Sequence, residues 1–458
     1  MINTLLAPEL RELIKEKKYE DIASFCATVH PATVAEFISV LTPEEIGEIL
    51  VHLPPSIRGE IFSHLSEDIQ IDVVDTLGRE DLGRLLSDMP PDDRVDLLKR
   101  FPERKREAII PAMAQAERED LRRLIAYPEG TAGSVMTSDY ATLTPDLTVN
   151  EAIDKLRREA PDKETIYYTY VIDNQQRLIG FVSLKDLILA PPEAKVGEIM
   201  HRDVIAVKAS DDQEDVARKI QKYDLIAVPV IDHEDRLVGI ITHDDALDII
   251  TQEQQEDVEK LMAITGTHEV GVYMRLSAWD HFKSRIPWIL ALALLGFISG
   301  YIVQSFESVL FQVAILASFM PMLADTGGNA GSQSATLVIR ALALKEISTK
   351  DALKVIIKEF KVAFLMSLVL ALVAYIRVQL FFHQSTSSPV PALKVGIAVA
   401  VALGIQVISS TLIGAFLPLI AASFKVDPAV VASPALTTIV DITGLFIFFY
   451  IAKLIIGL

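Results

Sequence analysis

The chain has 458 residues, half of them hydrophobic, with a mean hydropathy of +0.34, which is too apolar for an ordinary soluble protein and long enough for about three domains. Its 62 Asp and Glu against 43 Lys and Arg leave a formal charge of −19, which argues against nucleic acid as the main partner. From Pro287 onward there are ten bases and seven acids, so the preceding residues carry a balance of −22. A strongly acidic half is joined to an apolar, slightly basic one. Cys26 is the single cysteine, so there is no internal disulfide framework. The N-terminus reaches Glu9, Arg11, Glu12 and Lys15 before any apolar run of signal-peptide length; it reads as a short amphipathic helix, and the acidic half as cytoplasmic.

The first segment, residues 1–129, carries a twelve-residue repeat. Val29, Leu41, Leu53, Leu65, Leu77, Met89 and Phe101 are each followed by a helix-start cluster such as Thr42-Pro-Glu-Glu or Pro90-Pro-Asp-Asp. Ser, Thr or Asp caps and Pro in the first turn start helices, so the spacing predicts a solenoid of short helices. Its acidic surface either receives cations or is simply solvated.

Residues 130–250 contain a duplication. Ala132-Gly-Ser-Val-Met and 171–186 match Val196-Gly-Glu-Ile-Met and 230–245. Each copy alternates a helix (149–158; 212–222) with two β-rich runs around a turn. The pattern resembles a tandem pair of CBS domains. In that family paired repeats form a disc that often binds adenosine nucleotides such as ATP. The resemblance puts Ser183 and Asp186, and Thr242 and Asp245, at ribose-contacting positions; the alternative is that these groups cap the following helices. Residues 251–284 are expected to connect this half to the membrane, with 252–284 as one long polar helix interrupted at Gly266.

Five runs in 285–458 meet or approach the length that crosses a bilayer: 286–303, 309–323 with a polar break before Leu337, 362–382, 395–422 and 435–456. Arg275, Lys283 and Arg285, six bases between Arg340 and Lys361, and Lys425 lie on one side, against Arg377, Lys394 and Lys453 on the other. The N-terminal half is therefore expected inside and the C-terminus outside. Polar groups at bilayer depth are functional by default. Here they are the Gly- and amide-rich stretch 324–336, expected as irregular backbone around a wet cavity, and Asp441 in the last span.

Thr326-Gly-Gly-Asn-Ala-Gly-Ser-Gln-Ser-Ala-Thr, then Val426-Asp-Pro-Ala-Val-Val-Ala-Ser-Pro and Thr438-Ile-Val-Asp441-Ile-Thr-Gly-Leu, resemble the bacterial MgtE magnesium channels. So does the order of helical domain, CBS pair, connecting helix and five spans. The resemblance implies a homodimeric Mg²⁺-selective pore in the cell (inner) membrane, closed when cytosolic Mg²⁺ is high. It assigns pore Mg²⁺ contacts to Asp441, Asp427, Asn329 and Thr336. It assigns cytosolic Mg²⁺ sensing to Glu60, Asp92 and Asp96 in the helical domain, Asp212, Glu214, Asp224, Asp245 and Asp248 in the second CBS repeat, and Glu253, Glu256 and Asp257 in the connecting helix. The family more often has Asn where this chain has Ser332 and Ser433, which bears on the water-mediated part of selectivity.

The residues themselves agree. Mg²⁺ keeps its waters and prefers oxygen ligands, and Asp441 from each of two chains would offer two charges to one ion. Acids from three segments repel until a divalent ion bridges them. There is no Walker-type phosphate loop, and His281 and His383 are isolated, so no enzymatic constellation stands out. Two other readings remain at this point: a secondary transporter coupled to Na⁺ or H⁺, and a CBS-gated membrane signalling protein.

Overall fold

The structure is a computed structural model that describes residues 3–264, 277–382, 390–428 and 433–457. Gly266, Arg275, His383 and residues 429–432 lie outside the described residues. The chain divides into two compact units, one through Glu253 and one from Gln254 on.

The first unit begins with ten helices: α1 (Asn3–Lys15), α2 (Tyr19–Thr28), α3 (Pro31–Ile38), α4 (Pro43–His52), α5 (Pro55–Ser63), α6 (Glu67–Thr76), α7 (Arg79–Asp88), α8 (Pro91–Lys99), α9 (Glu103–Ile109) and α10 (Gln115–Ile125). Helix starts from α2 to α10 fall twelve residues apart. Local chemistry fixes them: Pro stands at the first position of α3, α4, α5 and α8, and Thr42 with Glu45 forms a reciprocal capping box on α4. Helices pack on their second neighbours, α3 on α5, α4 on α6 and α5 on α7. A repeated glycine makes this possible. A Cβ on Gly59 would lie 1.9 Å from the Asp88 carbonyl oxygen, and one on Gly83 would lie 2.5 Å from that of Ala112. Below, Arg58 is buried and its Nε donates to Asp88 Oδ2 at 2.6 Å.

The duplicated region follows as β1 (Tyr140–Leu143), α11 (Val149–Glu159), β2 (Thr165–Ile172), β3 (Leu178–Ser183), α12 (Leu184–Leu189) and α13 (Val196–Ile199). The second copy is β4 (Val207–Lys208), α14 (Gln213–Tyr223), β5 (Ala227–Ile231) and β6 (Leu237–Thr242), leading into α15 (His243–Leu261). Each copy is a three-stranded sheet, ordered β1-β2-β3 and β4-β5-β6, with one parallel and one antiparallel pairing. The short parallel strands β1 and β4 complete the expected hairpins.

The two copies interlock through their shared glycine. Phe181 exchanges both backbone hydrogen bonds with His201, ahead of the second copy, and Ile240 does the same with Thr137, ahead of the first. A Cβ on Gly180 would sit 2.8 Å from the His201 carbonyl oxygen, and one on Gly239 2.9 Å from that of Thr137.

The connector departs from expectation. Instead of one polar helix over 252–284, α15 starts at His243 as a continuation of the second copy and stops at Leu261. Ala263 then turns the chain at a φ of 55°, a left-handed conformation unfavourable to a side chain. The next described helix, α16 (Ala278–Ser305), serves as the end of the connector and as the first apolar run.

The second unit continues with α17 (Glu307–Gln312), α18 (Met320–Ala343), α19 (Ala352–Phe382), α20 (Ala392–Ser423) and α21 (Ser433–Ile456). Among the described residues four helices, within α16, α19, α20 and α21, are long and apolar enough to cross a membrane. The fifth expected span corresponds to α17, a 3-10 stretch Ala314–Phe319 and α18. Its backbone is also a correction: 324–336, expected as irregular, is helical throughout, and the break lies upstream at 313–319. The glycines of α18 serve packing and not unwinding, because Gly327, Gly328 and Gly331 are all buried. The core helix is α20, which packs on α18, α19 and α21.

Gly59→Ala should destabilise the helical domain by ~1–3 kcal/mol, the usual range for forcing a methyl into a filled contact, read as a lowered urea midpoint at unchanged slope. An unchanged midpoint would mean that the backbone contact of α5 with Asp88 is not made.

Candidate functional site

In the membrane unit the helices α18, α20 and α21 approach at backbone distance. A Cβ on Gly414 of α20 would come within 2.1 Å of the Gly331 carbonyl oxygen, and one on Gly327 within 3.0 Å of Val440 Cγ1 on α21. Small residues allow such contacts where lipid offers no hydrophobic drive. They set the face that α18 buries and therefore the face that it leaves open. Asp325, Asn329 and Thr336 lie on the open face, with Ser332 partly open between them, and the spacing 325, 329, 332, 336 is one side of a helix. Asn329 Nδ2 donates to Asp325 Oδ1 at 3.1 Å.

Asp441 follows Val440 on α21 and is half-buried. One turn before it, Thr437 packs on Gly328, the neighbour of Asn329. The structure thus brings the α18 stripe and the turn carrying Asp441 to one region. Asp427 lies elsewhere, beyond the end of α20, where its Oδ2 pairs with Lys260 Nζ of α15 at 3.2 Å; Lys260 also pairs with Glu256 at 2.9 Å. Burial lowers the Lys260 pKa, but the two carboxylates raise it to about 12. The side chain of Ser433 lies outside the described residues.

Two polar partners in this unit were not expected from sequence. Glu359 of α19 accepts from Ser334 Oγ of α18 at 2.8 Å, yet it reads in sequence as one acid among the bases of 340–361. Gln406 is the second, a fully buried amide in the apolar run of α20. The depth rule for polar residues would have flagged it. Asp325, four residues before Asn329, was legible from helical spacing alone.

The first unit gathers some of the expected sensor acids and not others. Asp92 on α8 faces Asp245 and Glu164, and Asp93 beside it faces Asp244 and Asp248, with His64 nearby. Asp92 Oδ1 is enclosed without a hydrogen-bond partner among the described residues. Burial, then Asp245, Asp93 and Glu164, holds Asp92 well above the ordinary carboxylate range. Burial likewise pushes Asp245 up to about 6, against the bonds from Thr242. Asp248 and Glu164 are raised for the same first reason. Asp93, Asp244 and Glu164 joined the cluster only through tertiary packing.

The other expected acids have local duties. Asp212 caps α14 by accepting from the Glu214 and Asp215 backbone N–H groups, Glu214 pairs with Arg218, Asp224 ends α14 at a φ of 51°, and Glu253 accepts from Gln213 Nε2 at 2.7 Å. Glu60 is exposed on α5, and Asp96 pairs with Lys99. Among the described residues no group of three Asp, Glu, His or Cys side chains is set to hold a metal ion directly.

The nucleotide candidates are engaged as caps. Ser183 Oγ donates to Asp186 Oδ2 at 2.6 Å and accepts from the Asp186 N–H, while Thr242 Oγ1 donates to Asp245 Oδ2 at 2.5 Å. His201 Nε2 lies 3.0 Å from Asp186 Oδ2. These bonds use one oxygen of each carboxylate.

Comparison with known proteins matches three family models. "Divalent cation transporter" (MgtE) covers residues 320–451, the MgtE intracellular N domain 29–130, and the CBS domain 132–193 and 196–252. The magnesium transporter MgtE of Thermus thermophilus is 40% identical over 338 residues, 74% of this chain and 73% of that protein. The magnesium transporter MgtE of Bacillus subtilis is 37% identical over 343 residues, 75% and 73% of the two chains. Among solved structures, the soluble part of a magnesium transporter superposes with a TM-score of 0.52 at 31% identity, covering 54% of this chain and 97% of that one.

The cluster makes a pH dependence with a definite sign. Asp245 has a folded pKa of about 6 against an ordinary 3.8, so across that window the folded chain keeps a proton that the unfolded chain has released. Stability is therefore fullest below the window, falls across it and is flat above it as far as this group is concerned. With divalent ions chelated, the urea midpoint of residues 1–260 should fall between about pH 4 and 6, and Asp245→Asn should make that fall shallower. An equally steep fall in the mutant would contradict the upward shift.

Proposed function

Because the chain belongs to the MgtE family of magnesium transporters, we propose that it is a Mg²⁺-selective channel that admits magnesium through a homodimeric pore. In this reading five segments cross the membrane, with α17 and α18 together forming the second. The acidic half and the Lys260–Asp427 contact are cytoplasmic, and the C-terminus is outside. The observation that carries the proposal is the open polar stripe of α18 beside the turn of Asp441. A carboxylate and an amide on one face of a membrane helix are costly against lipid, so that face requires water or a second copy of the chain. A pore on the axis between two copies provides both.

The chemistry follows from the ion. Mg²⁺ demands octahedral oxygen ligands and gives up water reluctantly. Two Asp441 carboxylates supply the charge, and Asn329, Thr336 and Ser332 supply amide and hydroxyl groups to hold its waters. Asp427 stands at the cytoplasmic mouth. Inward flow is driven by the membrane potential, roughly 4.6 kcal/mol for two charges across 100 mV, so no other energy source is needed.

Closure is assigned to the acidic half. Ion-free, Asp92, Asp245, Asp248 and their neighbours repel; Mg²⁺ among them, with Glu60, Asp96, Asp212, Glu214, Asp224, Glu253, Glu256 and Asp257 completing the sensing surface, offsets that repulsion and compacts the cytosolic domains. An adenosine nucleotide such as ATP is assigned to the CBS pair, at Ser183, Asp186, Thr242 and Asp245.

Asp441→Asn should leave a folded dimer but cut Mg²⁺ uptake into liposomes by about tenfold or more, the effect of losing a charged hydrogen-bond acceptor; normal uptake would sink the pore assignment. Replacing Asp92, Asp245, Asp248 and Asp257 together by Ala removes ligands needed by the closed state, and a ligand shifts an equilibrium only by its differential affinity. Patch-clamp currents through that variant should persist at cytosolic Mg²⁺ that shuts the parent. A variant shut at every Mg²⁺ level would mean that repulsion, not bridging, sets the gate.

A further inference from the structure

We propose that Gln406 is a positioning residue for Asp441: its amide, held in a slot between Gly327 and Gly444, fixes the turn of α21 that presents the ion-binding carboxylate. The inference rests on the reading of Asp441 as the pore aspartate. Gln406 is fully buried in the centre of α20, where an amide is costly unless bonded. The slot is built for it. A Cβ on Gly327 of α18 would lie 2.5 Å from Nε2, and one on Gly444 of α21 would lie 2.1 Å from it. Neither helix could carry a side chain there without moving the amide.

The bond it makes is specific. Nε2 donates at 3.2 Å to the carbonyl of Val440, the peptide group leading into Asp441, and Thr443 Oγ1 donates to the preceding carbonyl, that of Ile439, at 2.9 Å, with the Val440 oxygen also within 3.1 Å. Both donors act on the carbonyls of Ile439 and Val440, which lead directly into Asp441. Side-chain donors added to a helix carbonyl bend or fix the helix locally, so they set the direction of the neighbouring carboxylate.

Packing alone does not explain the choice of residue. Gln406 Oε1 is buried with no partner among the described residues, and an orphaned acceptor is destabilising where a Met of similar shape would fill the same space without one. Retaining the amide requires something that the donor does. General interhelical glue is the competing account, and it predicts loss of folded protein, not a change in how the ion is held.

The test is uptake by the full-length protein in liposomes, titrated with Mg²⁺, for Gln406→Met, Gly444→Ala and Asp441→Asn. Gln406→Met removes the donor at constant volume, and Gly444→Ala keeps the donor but displaces it. Both should raise the half-saturating Mg²⁺ concentration by about tenfold, as loss of a group orienting a metal ligand does, with the maximal rate within about twofold, and both should narrow the preference for Mg²⁺ over Ca²⁺. Unchanged half-saturation in both, or a fall in maximal rate alone, would overturn the proposal. Failure of both variants to yield folded protein would assign Gln406 to packing and overturn it too. If Asp441→Asn transports like the parent, the pore reading itself has failed. If Asp441→Asn is impaired while the other two titrate as the parent, only the positioning role has.

Discussion

Water is absent from the bilayer interior, and the arrangement of α18, α20 and α21 follows from that constraint. Each polar side chain on these helices must find a partner, a cavity or another chain. Glycines at 327, 331, 414 and 444 draw the three helices so close that one face of α18 is wholly filled. Asp325, Asn329, Ser332 and Thr336 then have a single direction left. Packing thereby decides where the polar groups go. The same glycines explain why the 324–336 stretch stays helical: close approach to neighbours compensates for their poor helix propensity.

The acidic half obeys the opposite logic. Here water is plentiful, and the problem is repulsion within a chain segment of balance −22. Most acids are relieved locally, by caps such as Asp212 or by i,i+4 pairs such as Glu214 with Arg218. Asp92, Asp93, Asp245 and Asp248 are crowded together instead, Asp245 despite its bonds from Thr242, and burial drives them toward the protonated form. In the proposed closure a divalent cation takes the place of that proton, so it is these crowded acids, and not the total charge, to which the response is assigned.

What the sequence disclosed divides along the range of the interactions involved. Helix starts in the first domain were legible because Pro and capping residues act within one turn, and the tandem repeat because its motif is written twice. Four of the five apolar runs declared their helices by composition. Tertiary information was not legible. Gly180 and Gly239 look like part of a ligand motif, yet each also makes room for the chain ahead of the other copy. Ser183 and Thr242 serve as caps whatever else they contact. The connector was misjudged because its polar composition suits a helix on either side of Ala263, and nothing local announces the left-handed turn there.

The revised connector bears on how a signal could reach the pore. α15 continues from the second CBS copy and carries Lys260, which pairs with Asp427. That pair is too weak to act as the latch. Its side chains are 31% and 39% exposed, and ion pairs of this kind contribute about 0–1 kcal/mol, whereas moving a two-state gate from almost wholly open to almost wholly closed takes about 5.5 kcal/mol. In the proposed closure that energy is therefore assigned to ion binding in the cluster of partly buried acids. In that reading the contact of Lys260 with Asp427 sets the register in which the energy is delivered, and Gln406, bonded to the Val440 carbonyl, holds the receiving turn.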